Sequence, residues 1–421
     1  MPISDSFKKR LYPVLAEIAA HFGTPFHLYD EFGIRETGRY LKQNFSPVHG
    51  FKEFYAVKAL PNPEILGIMR EMGFGFDCSS VPELALTRQI GATGEEIMFT
   101  SNNTSDDDFR AAIADGGCIL NLDDITLIEK LPEIPDIISF RYNPGPRRTG
   151  NAIIGNPVEA KYGVSHDQIH HAYRKMRDSG VKRFGLHTML VSNERNLAYM
   201  VETVQMLLEL VEQISAALSI HFEFINMGGG LGIPYRPEDP HLDLPAMAEG
   251  IAVVYDRHIT RLGEAPRLFM ESGRYMTGPH GVLVTRAINE KNIYRRYIGV
   301  DASMSALMRP GIYGAYHHID VLDKDPATSP LQTVDIIGSL CENIDKFAVQ
   351  RELPRIDAGD LLIIQDTGAH GHAMGFNYNA KLRPQELLLR SDGSISRIRR
   401  AETMEDYFAT LRFPQDIFKP C

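Results

Sequence analysis

From about residue 51 to residue 272, short apolar runs alternate with longer segments in which apolar residues recur every three or four positions. The short runs are typical of buried strands, and the longer segments are typical of helices with one apolar face. This alternation predicts parallel β/α units. The predicted strands are 54–58, 75–79, 97–101, 118–122, 137–142, 184–188, 222–227 and 268–271. The predicted helices between them include 63–72, 81–90, 106–114 and 196–218.

The predicted fold is an α/β fold in which eight β/α units close into a (β/α)8 TIM barrel. After Pro279 the chain changes to β-branched and aromatic runs with turn residues, which predicts a C-terminal, mainly β domain. The early run 25–29 can pair back into that domain. We therefore place the barrel at residues 45–280 and the β-rich domain at residues 1–44 and 281–421.

Several chemically active residues fall at the ends of predicted barrel strands. Lys58, Asp77, His187 and Glu271 each end or adjoin a strand, and the glycines 228–230 follow another. Barrel enzymes carry their chemistry at the carboxyl ends of the strands. We therefore expect these residues to share one rim of the barrel.

Lys58 and the glycines 228–230 together indicate a cofactor that has an aldehyde and a phosphate. A lysine after a buried strand is expected to be strongly desolvated, which favours the neutral amine that forms a Schiff base with a carbonyl such as that of pyridoxal phosphate. Successive glycines let backbone N–H groups close around a phosphate. Both features also have ordinary interpretations, as a solvated charge and as a tight turn.

Glu271 follows the last predicted barrel strand, where a carboxylate is suited to face the ring nitrogen of a bound pyridine. A carboxylate in that position keeps the nitrogen protonated, and the protonated ring is the stronger electron sink. This arrangement favours decarboxylation. The alternative interpretation is a salt bridge between Glu271 and Arg274.

Arg274, Arg309 and Tyr313 are candidates for binding a carboxylate or a phosphate, because a guanidinium group offers such anions two parallel hydrogen bonds. Surface ion pairs are the alternative. The thiol of Cys341 and the carboxylate of Glu342 are adjacent and can supply a proton donor and an anchor for an amine, although a single cysteine is more often buried packing.

Tyr378 lies in a glycine-flanked turn and can bind a phosphate through its hydroxyl, with packing in the turn as the alternative. The histidines at positions 317, 318, 370 and 372 lack a convincing set of partners for a metal, so we expect no catalytic metal.

The charge, hydropathy and cysteine content of the chain argue against several classes of protein. The formal net charge of −10 argues against general affinity for nucleic acid or anionic membranes. The residues from Met1 to Leu15 lack the apolar core of a signal peptide, and no later stretch approaches the roughly 18 apolar residues of a membrane span. Cysteines are scattered and form no CxxC pair, which favours a reducing compartment. The cysteines are Cys78, Cys118, Cys341 and Cys421. We expect a cytoplasmic protein.

A set of motifs spans nearly the whole chain. The motifs are Tyr55-Ala56-Val57-Lys58-Ala59, Phe76-Asp77-Cys78-Ser79-Ser80, Arg141-Tyr142-Asn143-Pro144-Gly145, Gly228-Gly229-Gly230, Glu271, and Met308-Arg309-Pro310 with Tyr313. In combination they resemble the pyridoxal-phosphate decarboxylases with an alanine-racemase-like barrel (fold type III), and within them the diaminopimelate decarboxylases.

The resemblance implies that the protein converts meso-2,6-diaminopimelate to L-lysine and carbon dioxide, with pyridoxal 5′-phosphate on Lys58. The implied cofactor contacts are Lys58, Asp77, His187, Met189, Ser192, Gly228, Gly229, Gly230, Glu271, Gly273, Arg274 and Tyr378. The implied substrate contacts are Arg274, Arg309, Tyr313, Glu342 and Tyr378, with Cys341 as a further catalytic residue. Cys341 and Glu342 are expected to enter the site from a second subunit, so a homodimer is part of the implied mechanism. Glu271 stands where a racemase of this fold carries an arginine, which favours decarboxylation over racemisation.

The chain departs from the family pattern near the substrate. Met189 replaces a histidine that lies over the cofactor ring, and methionine can pack on an aromatic face but cannot titrate. His370 replaces a tyrosine. Two alternatives therefore stay open. One is a decarboxylase of ornithine or lysine of either hand, of carboxynorspermidine or of a carrier-linked amino acid, and the other is a non-catalytic pyridoxal-phosphate-binding protein. Retention of Arg309, Tyr313 and Glu342 argues against the smaller diamines, which offer no distal carboxylate. The C-terminal domain argues against the non-catalytic protein.

Overall fold

A computed structural model gives the fold of residues 3–412. The strands are β1 Phe26–Asp30, β2 Lys52–Ala56, β3 Gly75–Cys78, β4 Ile97–Phe99, β5 Ile119–Leu122, β6 Ile137–Asn143, β7 Val164–Ser165, β8 Arg183–Thr188, β9 Phe222–Asn226, β10 Arg267–Met270, β11 Gly281–Asn292, β12 Arg296–Val300, β13 Ile319–Val321, β14 Leu331–Ile337, β15 Lys346–Pro354, β16 Leu361–Ile364, β17 Gln385–Leu389 and β18 Ile395–Arg399. The α-helices are α1 Asp5–Phe22, α2 Glu31–Phe45, α3 Pro63–Glu71, α4 Val81–Gln89, α5 Asp106–Ile113, α6 His166–Asp178, α7 Leu197–Leu218, α8 Leu244–Leu262, α9 Arg274–Thr277, α10 Arg309–Tyr313 and α11 Met404–Phe408.

The strands β2 to β6 and β8 to β10 are parallel and form a closed barrel. Pairing of β5 with β6, as in Leu120 with Ile138, closes the ring. An α-helix follows each of these strands except β5, which is followed by the 3-10 helix Ile125–Lys130, so the predicted (β/α)8 barrel is confirmed. Every predicted barrel strand is present, with ends that differ from the predicted ones by at most two residues.

The helix beside the first barrel strand comes from the segment before that strand. This helix, α2, packs against α3 and α8. Its apolar residues Ile34, Leu41 and Phe45 are buried in the same core as the barrel helices. The N-terminal segment therefore completes the ring of helices around the barrel.

The inside of the barrel has an apolar layer below a polar one. The apolar layer consists of Phe54, Met98, Ile119, Ile137, Phe224 and Phe269. Side chains alternate between the faces of a strand, so the residue two positions after each of these also points inward. Those residues are Ala56 and the buried polar residues Thr100, Asn121, Ser139, Asn226 and Glu271. The polar layer therefore lies at the carboxyl ends of the strands, above the apolar layer.

A second, mixed sheet has the strand order β15-β14-β12-β11-β1-β17-β18, with β16 joined to β11 and β13. The early strand β1 pairs antiparallel with β11 and parallel with β17, so the predicted return of the run 25–29 into this sheet is confirmed. Helix α1 packs against the sheet through Phe7, Leu11 and Leu15. The predicted C-terminal, mainly β domain is confirmed, and the boundaries at residues 45 and 281 stay a prediction.

Cys78, Cys118 and Cys341 are free thiols, and Cys421 lies outside the described residues. Among the helices of residues 3–412, none combines the length and apolar character that a membrane crossing requires.

Candidate active site

A cavity of about 790 Å³ opens at the carboxyl ends of the barrel strands, between the barrel and the second sheet. Many of the predicted site residues line it: Lys58, Met189, Ser192, Gly229, Gly230, Glu271, Gly273, Arg274, Arg309 and Tyr313. Asp77, His187 and Gly228 contact residues of this lining. The structure thus brings together the residues expected at one rim of the barrel.

Lys58 lies in a single turn of 3-10 helix, Val57–Ala59, that follows β2. Its Nζ atom is 3.7 Å from Oδ2 of Asp77, and its side chain is 51% exposed in the cavity. The prediction of a strongly desolvated lysine is therefore wrong, because the side chain leaves the barrel wall and enters an open cavity. Burial, together with the charge of Glu271 and against that of Lys58, raises the pKa of Asp77 to about 7.

Glu271 is buried and is held by two polar side chains of the barrel. The Nε2 atom of His187 lies 3.1 Å from Oε2 of Glu271, and Nδ2 of Asn226 donates to Oε1 across 2.7 Å. Burial acts to raise the pKa of Glu271, but the charge and hydrogen bond of His187 outweigh burial and keep the pKa below its usual range. The carboxylate is therefore ionised. The alternative salt bridge with Arg274 does not form.

The glycine stretch approaches the barrel rim too closely for side chains. A Cβ atom at Gly229 would lie 2.2 Å from the carbonyl oxygen of Glu271, and one at Gly230 would lie 2.5 Å from that of Val191. Gly230 also has a φ of +101°, which favours glycine. The Gly229 N–H donates to Sδ of Met189 across 3.3 Å. The loop therefore offers backbone, rather than side chains, to a ligand in the cavity.

Arg274 and Arg309 direct their guanidinium groups at one hydroxyl, that of Tyr235. Both Nη1 atoms donate to Tyr235 Oη, and the Arg309 distance is 2.7 Å. Nη2 of Arg274 also lies 3.4 Å from Oγ of Ser192. Within residues 3–412 neither arginine forms an ion pair with a carboxylate, although Arg309 is only 7% exposed. Positive charge that is buried without a counter-ion suits an anionic ligand.

Three predicted residues lie apart from the cavity in a single chain. Cys341, Glu342 and Tyr378 are exposed and do not line it. The Cys341 N–H donates to Oδ1 of Asn379 across 2.7 Å, which joins the two loops that carry these residues. The buried carboxylate of Asp345 fixes the first loop by accepting from the backbone N–H groups of Leu340 and Met304. The loops are therefore ordered and face outward.

The sequence reasoning missed Tyr235 and Asn226 as site residues. Asn226 carried a usable signal, because it lies two positions after Phe224 on the same strand and therefore points into the barrel as Phe224 does. Tyr235 follows the glycine stretch, and only the glycines were interpreted there. His370, considered above as a metal ligand and as the replacement of a tyrosine, lines the same cavity as Lys58. Within the part of the chain that the structure describes, no three His, Cys, Asp or Glu residues form a group that could hold a metal ion.

Comparison with known proteins gives the following matches. The family model described as "Pyridoxal-dependent decarboxylase, pyridoxal binding domain" matches residues 33–278. Protein TabA of Pseudomonas amygdali pv. tabaci is 45% identical over 421 residues, which cover 100% of this chain and 99% of that protein. Diaminopimelate decarboxylase of Methanothermobacter thermautotrophicus is 35% identical over 96% of this chain and 95% of its own. The crystal structure of diaminopimelate decarboxylase from M. jannaschii in complex with L-lysine superposes with a TM-score of 0.86 at 28% identity, over 95% of this chain and 94% of that one.

Proposed function

The chain belongs to the pyridoxal-dependent decarboxylases, and on that premise we propose that it removes carbon dioxide from meso-2,6-diaminopimelate to give L-lysine. The observation that carries the proposal is the pair of arginines, Arg274 and Arg309, which lie in the cavity of Lys58 without a carboxylate partner. An amino acid with a second carboxylate at its far end supplies the missing negative charge.

The residues present fit pyridoxal phosphate on three observations. Lys58 presents a half-exposed amine inside the cavity. The buried Nδ1 atom of His187 has no hydrogen-bond partner among the described residues, so a polar ligand can use it. The backbone of Gly229 and Gly230 lines the cavity and packs so closely on the neighbouring backbone that neither position admits a Cβ atom. We assign the phosphate to this backbone surface and to the hydroxyl of Ser192.

When bound, pyridoxal phosphate supplies a conjugated ring that accepts the electron pair released as the carboxylate leaves. Lys58 would hold the aldehyde end of the cofactor through its Nζ atom, which lies in the cavity. The ionised carboxylate of Glu271 holds the proton of the ring nitrogen, and His187 and Asn226 fix the orientation of that carboxylate. Met189 covers the cavity with a side chain that cannot exchange protons, so its contribution is packing.

The second end of the substrate requires residues from two chains in this proposal. Arg274, Arg309 and Tyr313 take the distal carboxylate, while the partner subunit's Glu342 takes the distal ammonium group. Cys341 of the partner subunit supplies the proton that replaces carbon dioxide. Support comes from the outward-facing position of the Cys341 loop, whose thiol and carboxylate do not reach the cavity of their own chain. Tyr378, exposed on the adjoining loop, remains a predicted contact.

A second candidate is decarboxylation of a related amino acid. Met189 favours it, because this residue places a thioether on the cavity wall where the family pattern has a titratable histidine ring. The 45% identity to protein TabA also favours it, because that relative is not named as a diaminopimelate decarboxylase. This candidate keeps the cofactor site and changes only the distal contacts.

The test is carbon dioxide release by the cofactor-loaded protein from meso-diaminopimelate, L-lysine, D-lysine, L-ornithine and D-ornithine, with the amine products identified. We expect rapid release from meso-diaminopimelate alone, with L-lysine as the product. Faster release from a lysine or an ornithine would refute the proposed substrate and favour the second candidate. No release from any of the five would refute both within this set of substrates.

A further inference from the structure

Tyr235 lies where the segment after the glycine stretch crosses the cavity, and its hydroxyl is held by two cations. Arg274 and Arg309 each donate to Tyr235 Oη through Nη1. Their guanidinium groups also lie 5.7 and 4.8 Å from the centre of the Tyr235 ring. The residue is only 7% exposed. Its position is therefore fixed by charge and packing together.

A tyrosine hydroxyl has one hydrogen to donate and an oxygen that accepts. Since two guanidinium groups donate to Tyr235 Oη, the remaining capacity of the hydroxyl is to donate. Within residues 3–412 the Tyr235 hydroxyl donates to no acceptor. Two cations draw electron density from the oxygen, which makes the O–H group a stronger donor. Because Tyr235 lines the cavity, the hydrogen is available to a ligand.

His317 fixes the other side of this arrangement. Its Nδ1–H donates to the carbonyl oxygen of Gln365 across 2.7 Å, so its Nε2 is the atom that faces Nη1 of Arg309 at 3.3 Å. Burial and then the charge of Arg309 lower the pKa of His317 to about 3, and the ring stays neutral at ordinary pH. The His317 ring meets the Tyr235 ring edge to face, with centroids 5.2 Å apart. The donors therefore keep their directions before a ligand arrives.

We propose that Tyr235 is a specificity-determining residue, which donates its hydroxyl hydrogen to the distal carboxylate of a dicarboxylic amino acid beside Arg274 and Arg309. The inference rests on the proposed function, because the carboxylate belongs to the proposed substrate. The cofactor phosphate is the other anion that such a donor can bind, since Arg274 also lies 3.4 Å from Ser192. The experiment therefore has to separate the two anions.

The experiment compares Tyr235→Phe with Tyr255→Phe in the cofactor-loaded protein. Tyr255 is the matched control, because its buried hydroxyl on α8 has no hydrogen-bond partner and lies outside the cavity. Four quantities are measured. They are KM and kcat for meso-diaminopimelate, the dissociation constant of pyridoxal phosphate, and the dissociation constant of pimelate by calorimetry. Pimelate is a dicarboxylate without amino groups.

For Tyr235→Phe we expect KM and the pimelate dissociation constant to rise by about 10- to 100-fold, as for loss of a hydrogen bond to a charged group. We expect kcat and cofactor affinity to change by less than about threefold. Tyr255→Phe should match the wild type. A lower affinity of Tyr235→Phe for pyridoxal phosphate, with unchanged affinity for pimelate, would overturn the inference. It would indicate that Tyr235 donates to the cofactor phosphate instead.

Two further outcomes separate this inference from the proposed function. In the first outcome, the wild type binds pimelate, Tyr235→Phe does not bind pimelate, and neither protein releases carbon dioxide from meso-diaminopimelate. This outcome supports Tyr235 as a donor to a carboxylate and refutes the proposed substrate. If the wild type binds no pimelate, or the variant binds it equally well, the role of Tyr235 is overturned.

Discussion

The imidazole of His187 and the carboxylate of Glu271 meet inside the barrel, with Nε2 and Oε2 3.1 Å apart and both side chains buried. Glu271 accepts this hydrogen bond from one strand and that of Asn226 from the next, so the carboxylate cannot turn away from the cavity. A fixed, ionised carboxylate of this kind would keep the nitrogen of a bound pyridine ring protonated.

We therefore expect Glu271→Gln to lower kcat for carbon dioxide release by at least about 100-fold, because a neutral amide does not hold the ring proton. The absorbance band of the bound cofactor should persist, since Lys58 is intact. Steady-state kinetics and absorbance spectra check both points. Glu249→Gln, on the exposed face of α8, serves as the control. Retained turnover in Glu271→Gln would show that the carboxylate does not assist the chemistry.

Gly229→Ala should weaken the binding of pyridoxal phosphate. The added Cβ atom would lie 2.2 Å from the Glu271 carbonyl oxygen, so backbone must move. Overpacking of this kind costs about 1–3 kcal/mol, which corresponds to about a 5- to 150-fold rise in the dissociation constant.

Gly67→Ala is the matched control for this change, because a Cβ atom at Gly67 on α3 meets nothing within 4 Å. We expect Gly67→Ala to leave cofactor affinity unchanged and to preserve or raise stability. Equal cofactor affinity in the two variants would argue against the glycine surface as the phosphate site.

A site shared between subunits predicts complementation. Lys58→Ala and Cys341→Ala should each be inactive alone, but subunits mixed after dissociation should recover about a quarter of wild-type activity, because half of the random dimers then hold one intact site. Size-exclusion chromatography confirms the mixed dimers, and carbon dioxide release measures the recovery. Mixed dimers without recovered activity would place Cys341 outside the chemistry.

The barrel could be predicted because parallel strands that are buried on both faces give short apolar runs, and the helices between them show a clear period. Residues 5–45 carried a weaker signal. The α1 sequence contains Pro13 and the α2 sequence contains Gly33, both of which argue against a helix. The structure gives a reason for the glycine, since a Cβ atom at Gly33 would lie 2.4 Å from Nδ1 of His280. Close packing between segments that are far apart in the sequence leaves no local sequence pattern from which it could be predicted.

The site was predictable where residues sit at strand ends and not where loops meet. Lys58, Asp77, His187 and Glu271 follow from strand position alone. Tyr235 acquires its role only because Arg274, at the start of α9, and Arg309, at the start of α10, reach the same hydroxyl. The exposure of the Lys58 side chain could not be predicted either, because the sequence around a lysine that follows a buried strand does not show whether a cavity lies at the end of that strand.

The acid stability of the fold should depend on buried histidines, of which His27 offers a clear test. Burial and then the neighbouring charge of His372 lower the pKa of His27 to about 4, against the opposing effect of Glu386. An unfolded histidine titrates near 6.5. Between these values the unfolded chain binds a proton that the folded chain does not, so His27 makes the fold less stable as the pH falls from about 6.5 to 4.

We therefore compare urea unfolding of the wild type with that of His27→Gln, which keeps a donor for the carbonyl oxygen of Ala306. The free energy of unfolding of the wild type should fall by about 1.4 kcal/mol per pH unit more than that of the variant across this range. Parallel pH profiles for the two proteins would show that His27 is charged in the fold.

The position of β1 has a consequence for how the chain is completed during synthesis. All barrel strands lie between Lys52 and Met270, so the barrel can close before the later strands of the second sheet have been made. In contrast, Tyr29 of β1 donates to Glu386, 357 positions along the chain. All five residues of β1 are buried in the finished protein. Its neighbour β11 is made only after the barrel strands, and its other neighbour, β17, about a hundred residues later, so one edge of β1 stays open until β17 has been made. A strand made before the whole barrel thus acquires both neighbours only after the barrel, and translation interrupted before β11 should yield a barrel with an unpaired, aggregation-prone β1.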